Sequence, residues 1–306
     1  MTDGFGEIAI QSNGLRKCYR RLVAVQSLNL SVPRGTIYGL LGPNGAGKTT
    51  AIMMLLGNVR PSAGSAAVLG KPIGNIAVRR YIGFLPEKFQ FHEFLTAEEF
   101  LRLHGRLAGM ERRRLNERIP EVLEAVGLKE RARSRLKEFS KGMLQRIGLG
   151  QAILHEPELV VLDEPTSALD PLGRRDVRNI IHHLKEKGKT VLLNSHLLSE
   201  IEMTCDEVAI LNRGVVVRQG KLSELLTFSS TVEMQVENIN PDLMAAIHHI
   251  SPSVSVNETH IIAWVDSEER AADLAAAVVD HGGRLLSLIP KRETLEELFV
   301  RVIEKS

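Results

Sequence analysis

The segment Gly42-Pro43-Asn44-Gly45-Ala46-Gly47-Lys48-Thr49 has the form G-x-x-x-x-G-K-T, followed by Thr50. It lies between an apolar run, Ile37–Leu41, and a helix-forming run that opens at Thr49. Glycines at these places let backbone N–H groups turn inward around a phosphate. The helix that follows adds the partial positive charge of its N-terminus. Lys48 is then predicted to reach the outer phosphates, and Thr49 to offer its hydroxyl to Mg²⁺. Strand, loop and helix in this order predict a site for a nucleoside triphosphate.

A second stretch, Leu159-Val160-Val161-Leu162-Asp163-Glu164, reads as a buried parallel strand that ends in two carboxylates. The C-terminal end of such a strand is where α/β sheets place ligands. Asp163 is the expected Mg²⁺ residue, and Glu164 the residue that orients or polarises an attacking water. Alone, an apolar strand ending in Asp-Glu is common; beside a phosphate loop it gains meaning.

The rest of the chain alternates strand-like and helical runs. Glu7–Gln11, Leu28–Val32, Thr36–Leu41 and Ser65–Val68 read as strands, and Thr49–Gly57 as a helix. From Thr96 to Leu154 the apolar spacing is helical, with Gly127 as a C-cap. Strand-like runs return at Leu159–Leu162, Val191–Asn194 and Val208–Leu211, with a helix expected over Arg174–Lys187. This pattern predicts an α/β fold with a mainly parallel sheet and a helical subdomain, about 88–155, inserted into it. A Ser/Thr cluster at Thr227–Thr231 marks a boundary after residue 226. Beyond it, 231–306 reads strand, helix, strand, strand, helix, strand and a terminal helix. That is the order of a ferredoxin-like α+β unit. Asn240 is its first expected N-cap, and Ser267 is expected to open the helix that Gly282 closes.

Composition excludes several classes. With 306 residues, 43% hydrophobic and 25% charged, the chain suits a folded protein of one or two domains. The net charge of +2 gives no argument for nucleic acid. Leu101–Gly150 is locally basic, with 13 Lys/Arg against 6 Glu. That is either a solvated helical face or a surface turned to a membrane or an acidic partner. Two distant cysteines, Cys18 and Cys205, make no disulfide framework. Met1–Gly6 has no signal-peptide character, and no stretch approaches the 18 apolar residues of a membrane span.

Taken in order, these motifs resemble the nucleotide-binding subunits of ATP-binding cassette (ABC) transporters over roughly the first 225 residues. Phe139-Ser140-Lys141-Gly142-Met143, followed by Gln145-Arg146, is similar to the family signature. Ser167-Ala168-Leu169-Asp170 is similar to the D-loop, and Ser195-His196 to the switch histidine. Tyr19 stands where the family keeps an aromatic that stacks on adenine, although it could equally be a core aromatic. The resemblance implies the P-loop ABC ATPase fold, ATP and Mg²⁺ as ligands, and a head-to-tail pair with a second copy or a homologous subunit. In such a pair Ser140 and Gly142 grip the γ-phosphate held by the opposite subunit. His196 contacts the γ-phosphate, and Asp170 shapes the water path. It further implies an integral membrane permease encoded separately, a peripheral location on the cytoplasmic face of the membrane, and transport, with export favoured. The permease is expected to meet the groove that includes Glu87–Thr96, where Phe89, Phe91 and Phe94 either touch it or fill the subdomain's own core.

Three residues depart from the common family pattern. Lys141 stands where glycine is usual, Met143 where glutamine is usual, and Glu87 where the Q-loop keeps glutamine. Glu87 keeps an acceptor for water or Mg²⁺ but adds charge. These departures and the tail beyond Thr231 are similar to the branch that works with a six-helix exporter subunit. Two other readings compete. A soluble ribosome- or DNA-acting relative would carry two cassettes or a long coiled coil. A P-loop small-molecule kinase would need neither signature nor switch histidine.

Overall fold

The computed structural model describes residues 7–167, 169–226, 228–267, 269–292 and 294–304. Among the expectations above, Ala168 of the D-loop, Thr227 of the boundary cluster and the Met1–Gly6 segment lie outside them. The described residues divide into two compact units, 7–222 with 302–304 and 223–301.

The first unit opens with a long antiparallel hairpin, β1 (Ile8–Tyr19) and β2 (Leu22–Pro33). The expected Glu7–Gln11 and Leu28–Val32 are only parts of it. Polar positions such as Gln11 and Gln26 fall on an exposed face, so the strands extend well beyond their apolar stretches. β3 (Ile37–Leu41) follows and is buried throughout, then α1 (Lys48–Leu55), β4 (Ala63–Val68), β5 (Lys71–Pro72) and β6 (Ile82–Leu85). The helical lobe is α2 (Ala97–Leu107), α3 (Arg112–Ala125) and α4 (Lys141–Ile153). Thr96 opens α2 with a capping box: its hydroxyl accepts from the Glu99 N–H, and the Glu99 carboxylate accepts from the Thr96 N–H. The lobe's helices bury Phe100, Leu115, Ile119 and Ile147 at helical spacing.

After the lobe come β7 (Leu159–Asp163), α5 (Pro171–Glu186), β8 (Thr190–Asn194), α6 (Leu198–Thr204), β9 (Glu207–Asn212), β10 (Val215–Lys221) and α7 (Leu222–Leu225). The ten strands form one sheet in the order β5-β4-β1-β2-β10-β9-β3-β8-β7-β6. Its β9-β3-β8-β7-β6 portion is parallel and carries the C-terminal ends of β3, β7 and β8 side by side. β7 and β8 are buried at every position and have no solvent-exposed face, as strands covered on both sides require. The remaining strands make an antiparallel layer. β6, α6 and β10 have no counterpart in the elements read from the sequence.

The second unit runs β11 (Phe228–Glu237), α8 (Pro241–Ile250), β12 (Ser253–Asn257), β13 (His260–Trp264), α9 (Arg270–Asp280), β14 (Arg284–Arg292) and α10 (Leu295–Glu304). Its antiparallel sheet has the order β12-β13-β11-β14, the ferredoxin-like arrangement. Val232, Met234, Val236, Leu243, Ile247, Ile261 and Leu274 form its core. Asn240 caps α8, its Oδ1 accepting from the Leu243 N–H at 2.8 Å. Ser267 does not cap α9. The helix starts at Arg270, whose N–H donates to the Ser267 carbonyl, so Ser267 belongs to the preceding turn.

Candidate nucleotide site

The loop between β3 and α1 is held in shape by backbone conformations that only glycine takes easily. Gly42, Gly45 and Gly47 have φ of 156°, 81° and 102°. A Cβ on Gly47 would stand 2.4 Å from the Ala24 carbonyl oxygen, and one on Gly42 would stand 2.2 Å from that of Leu211. The loop is therefore pressed against β2 and β9, and the Gly214 N–H ties it down by donating to the Ala46 carbonyl at 2.9 Å. Gly47 is the N-cap of α1 and supplies no side chain, so the first N–H groups of that helix face the loop's interior.

Lys48 is buried and folds back over the loop. Its Nζ donates to the carbonyls of Gly42 at 2.7 Å and Pro43 at 3.3 Å. Burial lowers its pKa, and Glu164, Asp163 and Glu87 oppose that shift. The loop opens into a cleft of about 600 Å³ lined by Asn44 through Thr50, Glu87, Glu164, Ser167, Asn194 and His196, with Leu22, Val23 and Ala24 of the hairpin along one side. Gly42 and Pro43 serve the loop from behind. Tyr19 is not among the lining residues. It is 44% exposed at the hairpin end, paired with Leu22, and carries the Lys17 ammonium 4.9 Å from its ring centre. It is no core aromatic, and one of its faces is already taken by a cation.

Asp163 and Glu164 leave the end of β7 in opposite environments. Asp163 is buried behind the cleft and accepts a short hydrogen bond from Asn194 Nδ2, the residue directly across on β8. Desolvation raises its pKa, more than the Asn194 hydrogen bond lowers it. Glu164 turns the chain in the left-handed region, with φ of 55°. Its N–H donates to the Asn194 carbonyl at 2.8 Å. Its own carbonyl accepts from the Ser167 hydroxyl and from Gln145 Nε2 of α4. Its carboxylate points into the cleft, 2.7 Å from His196 Nδ1. Burial raises the Glu164 pKa, and His196 opposes it.

The donors that could hold a cation are the Thr49 hydroxyl and the Asp163 and Glu87 carboxylates. All are oxygens, which suits a hard divalent ion. Among the described residues no cluster of three or more His, Cys, Asp or Glu makes a metal cage.

Ser140, Gly142 and Asp170 are brought together, but in a second cleft of about 480 Å³ with Lys141, Leu169 and Gly173. Ser140 caps α4, its hydroxyl accepting from the Met143 N–H at 3.2 Å. Asp170 caps α5 in the same way, accepting from the Gly173 N–H at 2.9 Å. The two clefts share no lining residue. The reading of the sequence gave Asn194 no role and named Ser167 and Gln145 only as parts of the D-loop and signature resemblances. For Asn194 the available signal was a polar residue ending an apolar strand just before Ser195-His196.

Residues 25–167 match the sequence profile described as ABC transporter. The chain is 40% identical to an uncharacterized ABC transporter ATP-binding protein of a Nostoc species, over 97% of this chain and 90% of that one. It is 34% identical to a Nod factor export ATP-binding protein of a Rhizobium species, over 97% of each. A solved structure of an ATP-binding subunit of an ABC transporter superposes with a TM-score of 0.66 at 32% identity, covering 71% of this chain and 91% of its own.

Proposed function

From the premise that this chain belongs to the ATP-binding proteins of ABC transporters, we propose that it hydrolyses MgATP between two head-to-tail subunits to drive a separate membrane permease. The observation that carries this reading is the pair of unconnected clefts. One holds the phosphate loop with Glu164 and His196; the other holds Ser140, Gly142 and Asp170. Each is half of a site, and a second copy or a homologous subunit supplies the other half.

In this reading Lys48 leaves the Gly42 carbonyl for the outer phosphates, and the α1 N-terminus and loop N–H groups hold the β-phosphate. Thr49, Asp163 and Glu87 would hold Mg²⁺, which would supply charge neutralisation to the phosphates. Glu164 accepts a hydrogen bond from the attacking water and orients it. His196 keeps the Glu164 carboxylate aimed into the cleft and turns its other face to the γ-phosphate. Ser140 and the α4 N-terminus close over that phosphate from the partner. Asp170 stands beside them at the water path. Tyr19 offers its free face to adenine from the hairpin end outside the cleft, where it pairs with the lining residue Leu22.

No helix among the described residues is long and apolar enough to cross a membrane. Membership of the family supports a peripheral position on the cytoplasmic face, under an integral permease. Export is the favoured direction, since a relative matched over 97% of its length is named for export. The exposed Phe94, 70% accessible, is the first candidate for permease contact. The two domains of the reading are 1–226, the ATPase, and 231–306, an accessory unit.

Mixing two disabled chains tests the shared site. Ser140→Arg spoils the second cleft, and Lys48→Ala spoils the first. Each alone is expected to be inactive. In a mixed pair both lesions meet at one site and leave the other intact, so ATPase activity should return on mixing. Full hydrolysis by Ser140→Arg alone, at a concentration where it is monomeric, would refute the shared site.

A further inference from the structure

The nucleotide cleft contains a buried acceptor that the mechanism above does not use. Asn194 ends β8 opposite Asp163 and is 2% exposed. A carboxylate only accepts hydrogen bonds, so the Asn194 amide turns its nitrogen to Asp163 and its oxygen away from it. That oxygen, Oδ1, is buried and has no hydrogen-bond partner among the described residues. Asn194 also lines the cleft. A buried acceptor left unpaired is costly, and such groups in folded proteins generally find a donor.

The chemistry narrows that donor. Phosphate oxygens of a bound nucleotide accept and do not donate. The Lys48 ammonium is already engaged with the loop carbonyls and is assigned to the phosphates. A water polarised by a divalent cation is a strong donor, and Asp163 beside Asn194 is an assigned cation residue. Groups that orient a metal's ligands and waters from just outside its coordination sphere tune its affinity.

We propose that Asn194 is a positioning residue for the nucleotide-bound divalent cation. Its Nδ2 holds the Asp163 carboxylate in one orientation, and its Oδ1 accepts a hydrogen bond from a water that the cation carries. The inference rests on the MgATP reading of the cleft.

The test separates nucleotide from cation. Affinity for a fluorescent ATP analogue is measured on the full chain in EDTA and in Mg²⁺, and Mn²⁺ binding to the ATP-bound chain is followed by water-proton relaxation. Asn194→Leu keeps the branching at Cγ and removes both polar atoms. Its affinity in EDTA should stay within about twofold of the parent, while the gain on adding Mg²⁺ and the affinity for Mn²⁺ should each fall about tenfold. An unchanged Mg²⁺ gain overturns the proposal. Equal losses in EDTA and in Mg²⁺ overturn it too, since Asn194 would then only brace the cleft. Should Asn194→Leu not fold, Asn194→Ser gives the same two comparisons with the same expected direction. A parent chain that binds no MgATP would overturn both this proposal and the nucleotide reading beneath it.

Discussion

His196 Nδ1 stands 2.7 Å from Glu164 Oε2, joining two residues 32 positions apart at the edge of one cleft. The Glu164 side chain is 11% exposed and that of His196 57%, so the carboxylate is fixed while the imidazole opens to the cleft. Glu164→Gln should keep ATP binding, because Lys48, Thr49 and Asp163 remain. It should reduce hydrolysis by at least about a hundredfold, as loss of one positioned polar group in a reaction site does. ATP should then accumulate in a stable subunit pair visible by gel filtration. Normal turnover by this variant would remove Glu164 from the water-orienting role.

Lys48→Ala removes the one ammonium folded into the phosphate loop. Hydrolysis should fall at least about a hundredfold, and nucleotide affinity should fall with it, because charge-assisted phosphate contacts are the strong ones. Retention of about a tenth of the parent activity would contradict the assignment of the loop.

Gly47→Ala tests the loop's shape without touching its charge. The new methyl would meet the Ala24 carbonyl at 2.4 Å with φ at 102°. Backbone strain alone costs about 1–3 kcal/mol, and the contact adds to it. The thermal midpoint should drop and nucleotide binding should be lost. An unchanged midpoint would mean the loop relaxes away from β2.

Desolvation raises the pKa of both Asp163 and Glu164. Their proposed roles need the ionised forms. Hydrolysis should therefore decline on acidification in a window just above the ordinary carboxylate range. Stability carries the opposite sign. A group with a raised folded pKa binds more protons folded than unfolded in that window, so its stability contribution is present at low pH and lost as pH rises through the folded pKa. The thermal midpoint should thus gain on mild acidification, and Asp163→Asn should remove part of that gain. Parallel pH profiles of the parent and Asp163→Asn midpoints would count against a raised Asp163.

The aromatic segment after Glu87 divides in two. Phe91 lies 4.7 Å from Phe89 and 5.7 Å from Phe100, centre to centre, inside the lobe's aromatic cluster. Phe94 is exposed, and its ring meets that of His92 edge-on. Phe91→Glu should destabilise the isolated chain by about 1–3 kcal/mol, since it puts a charge where a half-buried ring packs. Phe94→Glu should leave folding and basal ATPase intact and weaken co-purification of the permease. Unfolding of Phe94→Glu would return this residue to the lobe's own core.

What the sequence determined by itself was local. The spacing of Gly42, Gly47, Lys48 and Thr49 dictates a phosphate loop, because loop, helix start and cation lie within eight residues. Leu159–Leu162 reads as a buried strand because it is apolar throughout, and Asn240 reads as a cap because capping acts over three residues. Tertiary structure decided the rest. Polar strand residues hid the length of the β1–β2 hairpin, whose exposed face gives no apolar alternation. Tyr19 stays outside the cleft because the hairpin end is solvent-facing. The Asp163–Asn194 and Glu164–His196 pairs depend on β7 lying beside β8, a strand order that no local pattern encodes. The parting of Ser140 and Asp170 from Lys48 into separate clefts is likewise a matter of where the helical lobe and α5 leave the sheet. Hydrogen bonds between residues distant in sequence follow from sheet order and packing, and those forces act only once the chain is folded.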